Sequence, residues 1–241
     1  MTEILDAGAW AKVWTYRSTF LLGLGNTVLA ALGGLALSFL LGAALGLMAT
    51  GKIKALRLFS RVYVELIQNT PLLLQLCFLY YAIAFSGTSP GILATGILSL
   101  GLYHGAYMAE VIRAGIQAVP AGQFEAAHAQ GFGYAGMMIH IILPQSVKII
   151  LPPMVNQVVN LVKNTSCLYI VGGADLISLT YSFVTGVSTG GAYAPAYLVS
   201  GLMFFAVCFP LSTLASRWEN SLKKRERRTL HVPRRRAEAE M

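Results

Sequence analysis

Polar and apolar positions along this chain fall into long blocks rather than a fine alternation. No charged residue occurs from Phe20 to Met48, and further apolar stretches run over about 64–85, 91–112, 151–173 and 195–216. A helix needs roughly 20 apolar residues to cross the hydrocarbon of a bilayer, and the first stretch, about 20–49, is long enough to cross with tilt. In lipid the backbone is satisfied only in helices or closed barrels. Barrel strands would alternate over short segments, which these blocks do not. The pattern predicts an all-α integral membrane protein with five spanning helices. A secretory leader would need a shorter apolar core behind a basic start, whereas here Glu3 and Asp6 stand beside Lys12 and Arg17.

Charge then orients the blocks. Only 12% of residues are charged, about half the share of a soluble domain. Lys52, Lys54, Arg57 and Arg61 follow the first block, Arg113 and Lys148 bound the linker after the third, and a run from Arg217 to Arg236 follows the last. The opposite side has Lys12 and Arg17, and its loops at 86–90 and 174–194 have no Lys or Arg. Basic residues stay on the cytoplasmic side, so the N-terminus is expected outside and the C-terminus in the cytoplasm. This divides the chain into an external segment 1–19, a transmembrane domain 20–216 with a cytoplasmic insert 113–148, and a basic tail 217–241. The tail suits anionic lipid; nucleic-acid binding would need a folded reading surface as well. Cys77, Cys167 and Cys208 have no metal or disulfide spacing. His104, His128 and His140 lack metal spacing, His231 lies in the tail, and no chemistry is assigned to them.

The insert carries the most specific signal. Glu125-Ala126-Ala127 is followed after three residues by Gly131, after nine more by Ile141, and then by Leu143-Pro144. This fills every position of the EAA pattern, EAA-x3-G-x9-I-x-L-P. Pro120 and Gly122 end the preceding crossing. The alanines favour a short helix and keep its surface thin, and Gly131 and Gly133 permit a sharp turn. Pro144 would then restart the chain towards the membrane. The expectation is a small cytoplasmic helix-turn-helix that fits a groove on a partner.

The fourth block is polar on one side. Asn156, Asn160, Lys163 and Asn164 fall at i, i+4, i+7 and i+8, one helix face. With a crossing that starts at Leu151, Lys163 lies roughly 18 Å in, just past the middle of a core ~30 Å thick. Such a charge is costly against lipid, so the stripe faces a hydrated path or a subunit interface, with Lys163 near the carboxylate of a solute; helix-to-helix contact with Lys163 capped by carbonyls is the alternative. Glu110 and Arg113, three apart, can pair. Gly42/Gly46 and Gly101/Gly105 match small-residue helix packing. Gly46 to Lys52 mimics a phosphate-binding loop, but Ile53 stands where Ser or Thr would hold magnesium, and no strand precedes it.

With these motifs the chain resembles the permease subunit of polar amino-acid ABC importers, the histidine/glutamine/glutamate/arginine group, from about Leu22 to Arg217. Supporting stretches are Tyr63 to Leu76, Gly105 to Arg113, Ile150-Leu151-Pro152-Pro153 and Lys163-Asn164-Thr165-Ser166. The resemblance implies a type I ABC importer transmembrane domain in a bacterial cytoplasmic membrane. It implies that Glu125, Ala126, Ala127 and Gly131, with Ile141, Leu143 and Pro144 completing the motif, couple the chain to an ATPase, and that a separate periplasmic or extracellular binding protein selects much of the substrate. Gln68 departs from the Arg or Gly common in the family, and Asn164 from its frequent Asp; the second lies in the candidate substrate path and leaves the exact substrate open. Five helices are few to enclose a hydrophilic path. The expected assembly is therefore a pair of permease subunits, identical or paralogous, over two ATP-binding subunits that hold the ATP and magnesium. The rival reading is a stand-alone secondary carrier or channel, but an odd number of spans with one long insert does not fit the inverted repeats of such folds. A membrane enzyme is a third option without paired carboxylates or a metal cluster to support it.

Overall fold

The computed structural model describes residues 6–89, 91–186 and 192–230. The described elements are helical: α1 Ala7–Thr15, α2 Arg17–Thr50, α3 Lys54–Gln68, α4 Leu72–Phe85, α5 Ile92–Gln117, α6 Ala121–Ala129, α7 Tyr134–Met137, α8 Leu143–Asn164, α9 Leu176–Thr185 and α10 Tyr193–Leu230. A π turn, Met138–Ile142, joins α7 to α8, and a 3-10 turn, Thr165–Val171, extends α8. Among the described residues four helices are long and apolar enough to cross a membrane, or five if α3 and α4 count as one broken span.

The seam between α2 and α5 is the tightest part of the bundle. A Cβ on Gly42 would lie 2.6 Å from Met108 Cβ, and one on Gly46 would lie 2.8 Å from Ile112 Cβ. From the other side, Gly101 and Gly105 face Leu37 and Leu41. Both glycine pairs therefore serve close helix packing, as their spacing predicts. Gly46 is buried in this seam, inside a helix that runs to Thr50, so the stretch that mimics a phosphate loop is the end of a membrane helix.

The second apolar stretch, expected as one helix over 64–85, is broken: α3 and α4 meet at 102°. Pro71 has no N–H and disfavours a helical Thr70 before it. Side chains add donors to the carbonyls at the end of α3, where Glu65 O and Ile67 O also keep backbone partners. Asn69 Nδ2 donates to Glu65 O at 2.6 Å, Thr70 Oγ1 to Leu66 O at 3.0 Å, and Gln75 Nε2 to Ile67 O at 2.9 Å. Irregular backbone at membrane depth survives only with such partners. Two further bonds pin α3, Ser60 Oγ to Leu45 O at 2.8 Å and Tyr63 OH to Leu102 O at 2.9 Å.

The helix of the fourth block starts earlier than the expected crossing. Tyr134–Val171 is one 38-residue apolar rod, so nothing in the helix marks a start at 151, and the second half of the expected helix-turn-helix is the first part of this rod. Pro144, Pro152 and Pro153 each remove a backbone donor from it. The widened π turn directly precedes Pro144, where the helix ladder would otherwise clash with the ring. α10 runs beyond 216 to Leu230. His231 and the rest of the tail lie outside the described residues.

At the end of the bundle away from α6, here the far end, Asn26 Nδ2 donates to Ala174 O at 2.8 Å, and Leu176 N–H donates to Thr27 Oγ1 at 3.0 Å. Asp175 caps α9 through Ile177 N–H at 3.0 Å and accepts from Ser178 Oγ. Burial pushes its carboxyl above the usual carboxylate range, against the pull of those hydrogen bonds. α1 closes this end by burying Ala9 and Val13 against Leu176, Phe183 and Ala196.

Candidate functional site

Two groups of residues stand out from this scaffold: the knob formed by α6 and α7, and the polar face of α8.

The knob begins where α5 stops at Gln117, and Pro120 sets the extended entry to α6. α6 ends in a left-handed turn at Gly131, φ +80°. Gly131 N–H donates to His128 O at 3.0 Å and Phe132 N–H to Ala127 O at 3.1 Å. That pair of bonds is a Schellman closure, which favours glycine at this position because a Cβ is penalised there. The glycine of the EAA pattern is thus a backbone requirement. The other positions divide by burial. Ala127 is 1% exposed and packs on Met137, Met138 and Ile142. Ile141 and Leu143 are half-buried beside it, whereas Glu125, Ala126 and Pro144 are exposed. The outward face of α6 therefore offers one carboxylate amid small residues, a thin surface that a partner groove can approach closely. Gln145 Nε2 ties the knob to the rod by donating to Gln123 Oε1 at 3.2 Å and Ile141 O at 2.8 Å. Tyr134 OH donates to Thr50 O at 3.4 Å, and Lys52 sits over the Tyr134 ring at 5.4 Å, tying it to the end of α2.

On α8, Val159, Leu161 and Val162 are buried, which turns the other side of the helix outward. Asn156, Asn160 and Lys163 lie on that side and are exposed. Among the described residues the Lys163 ammonium makes no ion pair. The structure therefore brings the stripe together on an uncovered face, as the spacing predicts, with one exception. Asn164 turns inward, and its Nδ2 lies 3.1 Å from His104 Nε2. This contact is a hydrogen bond between the Asn164 amide and the buried imidazole ring. His104 is 1% exposed and stacks edge-on to Tyr103, ring centroids 5.4 Å apart. The sequence reading gives His104 no role. The available signal was its place inside an apolar crossing, where an ionisable residue is a functional candidate by default. Glu110 and Arg113 do pair, with Arg113 Nε donating to Glu110 Oε2 at 2.8 Å. Among the described residues no group of three metal-ligating side chains converges.

Residues 38–225 match the model of the family described as binding-protein-dependent transport system inner membrane component. The chain is 39% identical over 207 residues to the probable glutamine ABC transporter permease protein GlnM of Bacillus subtilis, covering 86% of this chain and 94% of that one. It is 32% identical over 228 residues to the glutamate transport system permease protein GluD of Corynebacterium glutamicum, covering 91% and 81%. Among solved structures, an amino acid ABC transporter with histidines superposes with a TM-score of 0.80 at 32% identity, covering 87% of this chain and 96% of that one. The MetNI methionine ABC transporter shares the fold, with a TM-score of 0.62 at 16% identity, covering 86% and 97%.

Proposed function

Because the chain belongs to the binding-protein-dependent transport system inner membrane components and is the permease subunit of an ABC amino-acid importer, we propose that it carries a polar amino acid through a path lined by the α8 stripe. In this reading the broken α3–α4 pair makes the fifth crossing. The N-terminus lies outside, and the knob and the C-terminus lie in the cytoplasm. The relatives named for glutamine and glutamate support a polar substrate, and so does the exposed run Asn156, Asn160 and Lys163.

The family works with an ATPase and a solute-binding protein. The finer assembly proposed here is two permease subunits over two ATPases, which hold the ATP and magnesium. Each ATPase grips one knob through Glu125 and Ala126. Closure of the ATPases pushes on α6, and α6 is packed on the start of the 38-residue rod that carries Lys163. A push at one end is thereby delivered to the face that the solute touches. The observation that carries the reading is this continuity between the Schellman-closed knob and the polar rod.

The test is ATP-driven uptake of labelled amino acids by the reconstituted complex, with and without Lys163→Met. Uptake should require ATP and the partner ATPase, and Lys163→Met should lower its rate. Accumulation by the purified chain alone would overturn the assignment of the motor to a partner. Unchanged uptake and affinity in Lys163→Met would remove Lys163 from the path.

A further inference from the structure

The charged side of α3 borders a space that the α8 stripe does not account for. On α3, Phe59, Val62 and Leu66 point away from the bundle and are exposed. Its other side, with Arg57, Arg61, Glu65 and Gln68, faces Glu110 and Arg113 on α5 across a cleft of about 850 Å³. Walls of this kind cannot be solvated by lipid tails, so the cleft is hydrated. It opens at the end of the bundle where α5 leads into the knob.

A row of side chains on α5 leads inward from the cleft lining. Tyr103, Tyr107, Glu110, Ala114 and Gln117 fall at i, i+4, i+7, i+11 and i+14 on α5, one face of the helix, roughly 21 Å long at ~1.5 Å per residue. None of these side chains is fully covered in the chain. The Tyr103 and Tyr107 hydroxyls are 3.1 Å apart, and Tyr103 adjoins the His104 that holds Asn164. Arg113 Nη1 donates to Gln117 Oε1 at 2.5 Å. A polar track thus descends from the level of Asn164 to the cleft.

We infer that this cleft and the α5 track form the cytoplasmic exit vestibule for an amino-acid zwitterion, its carboxylate met by Arg113 and Arg57 and its ammonium by Glu110 and Glu65. The inference rests on the permease reading and on its orientation. Both signs of charge are present, which fits a solute carrying both. Four of the six charged side chains that line the cleft are already paired, Arg113 with Glu110 and Arg61 with Glu65, and these four are between 34% and 77% exposed, while Lys54 and Arg57 make no ion pair among the described residues. A passing zwitterion therefore exchanges one hydrated partner for another at small net gain. That suits release rather than retention.

The experiment uses the assembled complex with Cys77, Cys167 and Cys208 replaced by Ala, carrying Gln117→Cys or Tyr107→Cys in inside-out vesicles. A membrane-impermeant thiosulfonate should label both cysteines, Tyr107→Cys more slowly, and saturating mixed L-amino acids should slow the labelling several-fold. In proteoliposomes, Glu110→Gln/Arg113→Gln keeps net charge constant and should lower the maximal uptake rate per assembled complex about tenfold with KM nearly unchanged. Failure to label at either position, with a disulfide forming instead between Tyr107→Cys of two copies, would make the track a seam between permease subunits. Normal uptake by the double variant would equally overturn the vestibule. Both outcomes leave intact the uptake by the unaltered complex; loss of that uptake would sink the permease reading itself.

Discussion

Beneath the knob the bundle is packed by Met108, Met137, Met138 and Met154, whereas at the far end the packing falls to Phe20 and Phe183, with Tyr16 alongside. Unbranched methionines fill irregular space and repack at low cost. Aromatic rings hold preferred mutual geometries, and here Phe183 meets both Tyr16 and Phe20 edge-on with centroids 5.3 Å apart. Polar bonds tie both ends across the chain, at the knob end Ser60 to Leu45, Tyr134 to Thr50 and Gln145 to Gln123. The far end is tied across the chain by Asn26 to Ala174, Thr27 to Leu176 and Thr180 to Ser200. The knob end has a π turn and Pro144, where ladder bonds are missing. One end is built to stay fixed while the other yields, which is what a lever acting through the knob requires.

The sharpest way to break this contrast is at the knob's turn. A side chain at Gly131 would be forced into the left-handed region, at about 1–2 kcal/mol. Gly131→Val should cut ATP-driven uptake at least tenfold while the complex still assembles and hydrolyses ATP. Uptake at the unaltered rate would show that the turn does not transmit force. At the far end the expected loss is of stability. Thr27→Val leaves the buried Leu176 N–H without its acceptor, worth about 1–3 kcal/mol. The thermal midpoint in detergent should fall by several degrees, with uptake per folded complex retained.

The two cores should also respond differently to leucine. Met137→Leu conserves volume and should cost under about 1.5 kcal/mol. Phe183→Leu removes both edge-on contacts and should cost more in the same unfolding assay; equal shifts would erase the distinction between the cores. The smallest effect is expected from Gln145→Leu, which removes a part-exposed tie to Gln123 worth about 0.5–1.5 kcal/mol. Its expected signature is faster amide exchange in residues 138–143, with the exchange of Leu176 unmoved.

The large features were legible because lipid enforces them. Apolar blocks of crossing length, and the spacing of Gly42, Gly46, Gly101 and Gly105, carry their physics in the sequence. So does Gly131, since few residue types tolerate its backbone. The break at Asn69–Pro71 was written in Thr70-Pro71, but the apolar run continues across it and hides the bend. The side-chain bonds of Asn69, Thr70 and Gln75, beside the remaining backbone bonds, satisfy the backbone there. The early start of the fourth helix was masked by Pro144, Pro152 and Pro153, which would end a helix in water but are tolerated where neighbouring groups compensate. The stripe on α8 was visible as a period. The inward turn of Asn164 towards His104 was not, because a pair 60 residues apart leaves no mark in local spacing.

The glycine seam has a mechanical consequence. With no side chains between them at Gly42, Gly46 and Gly105, α2 and α5 cannot slide past one another without Met108 and Ile112 colliding with the opposite backbone. The two helices therefore behave as a single stiff plate. Whatever relative movement the transport cycle demands has to be taken up at the plate's edges, where α8 and the bent α3–α4 pair meet it, and not within it.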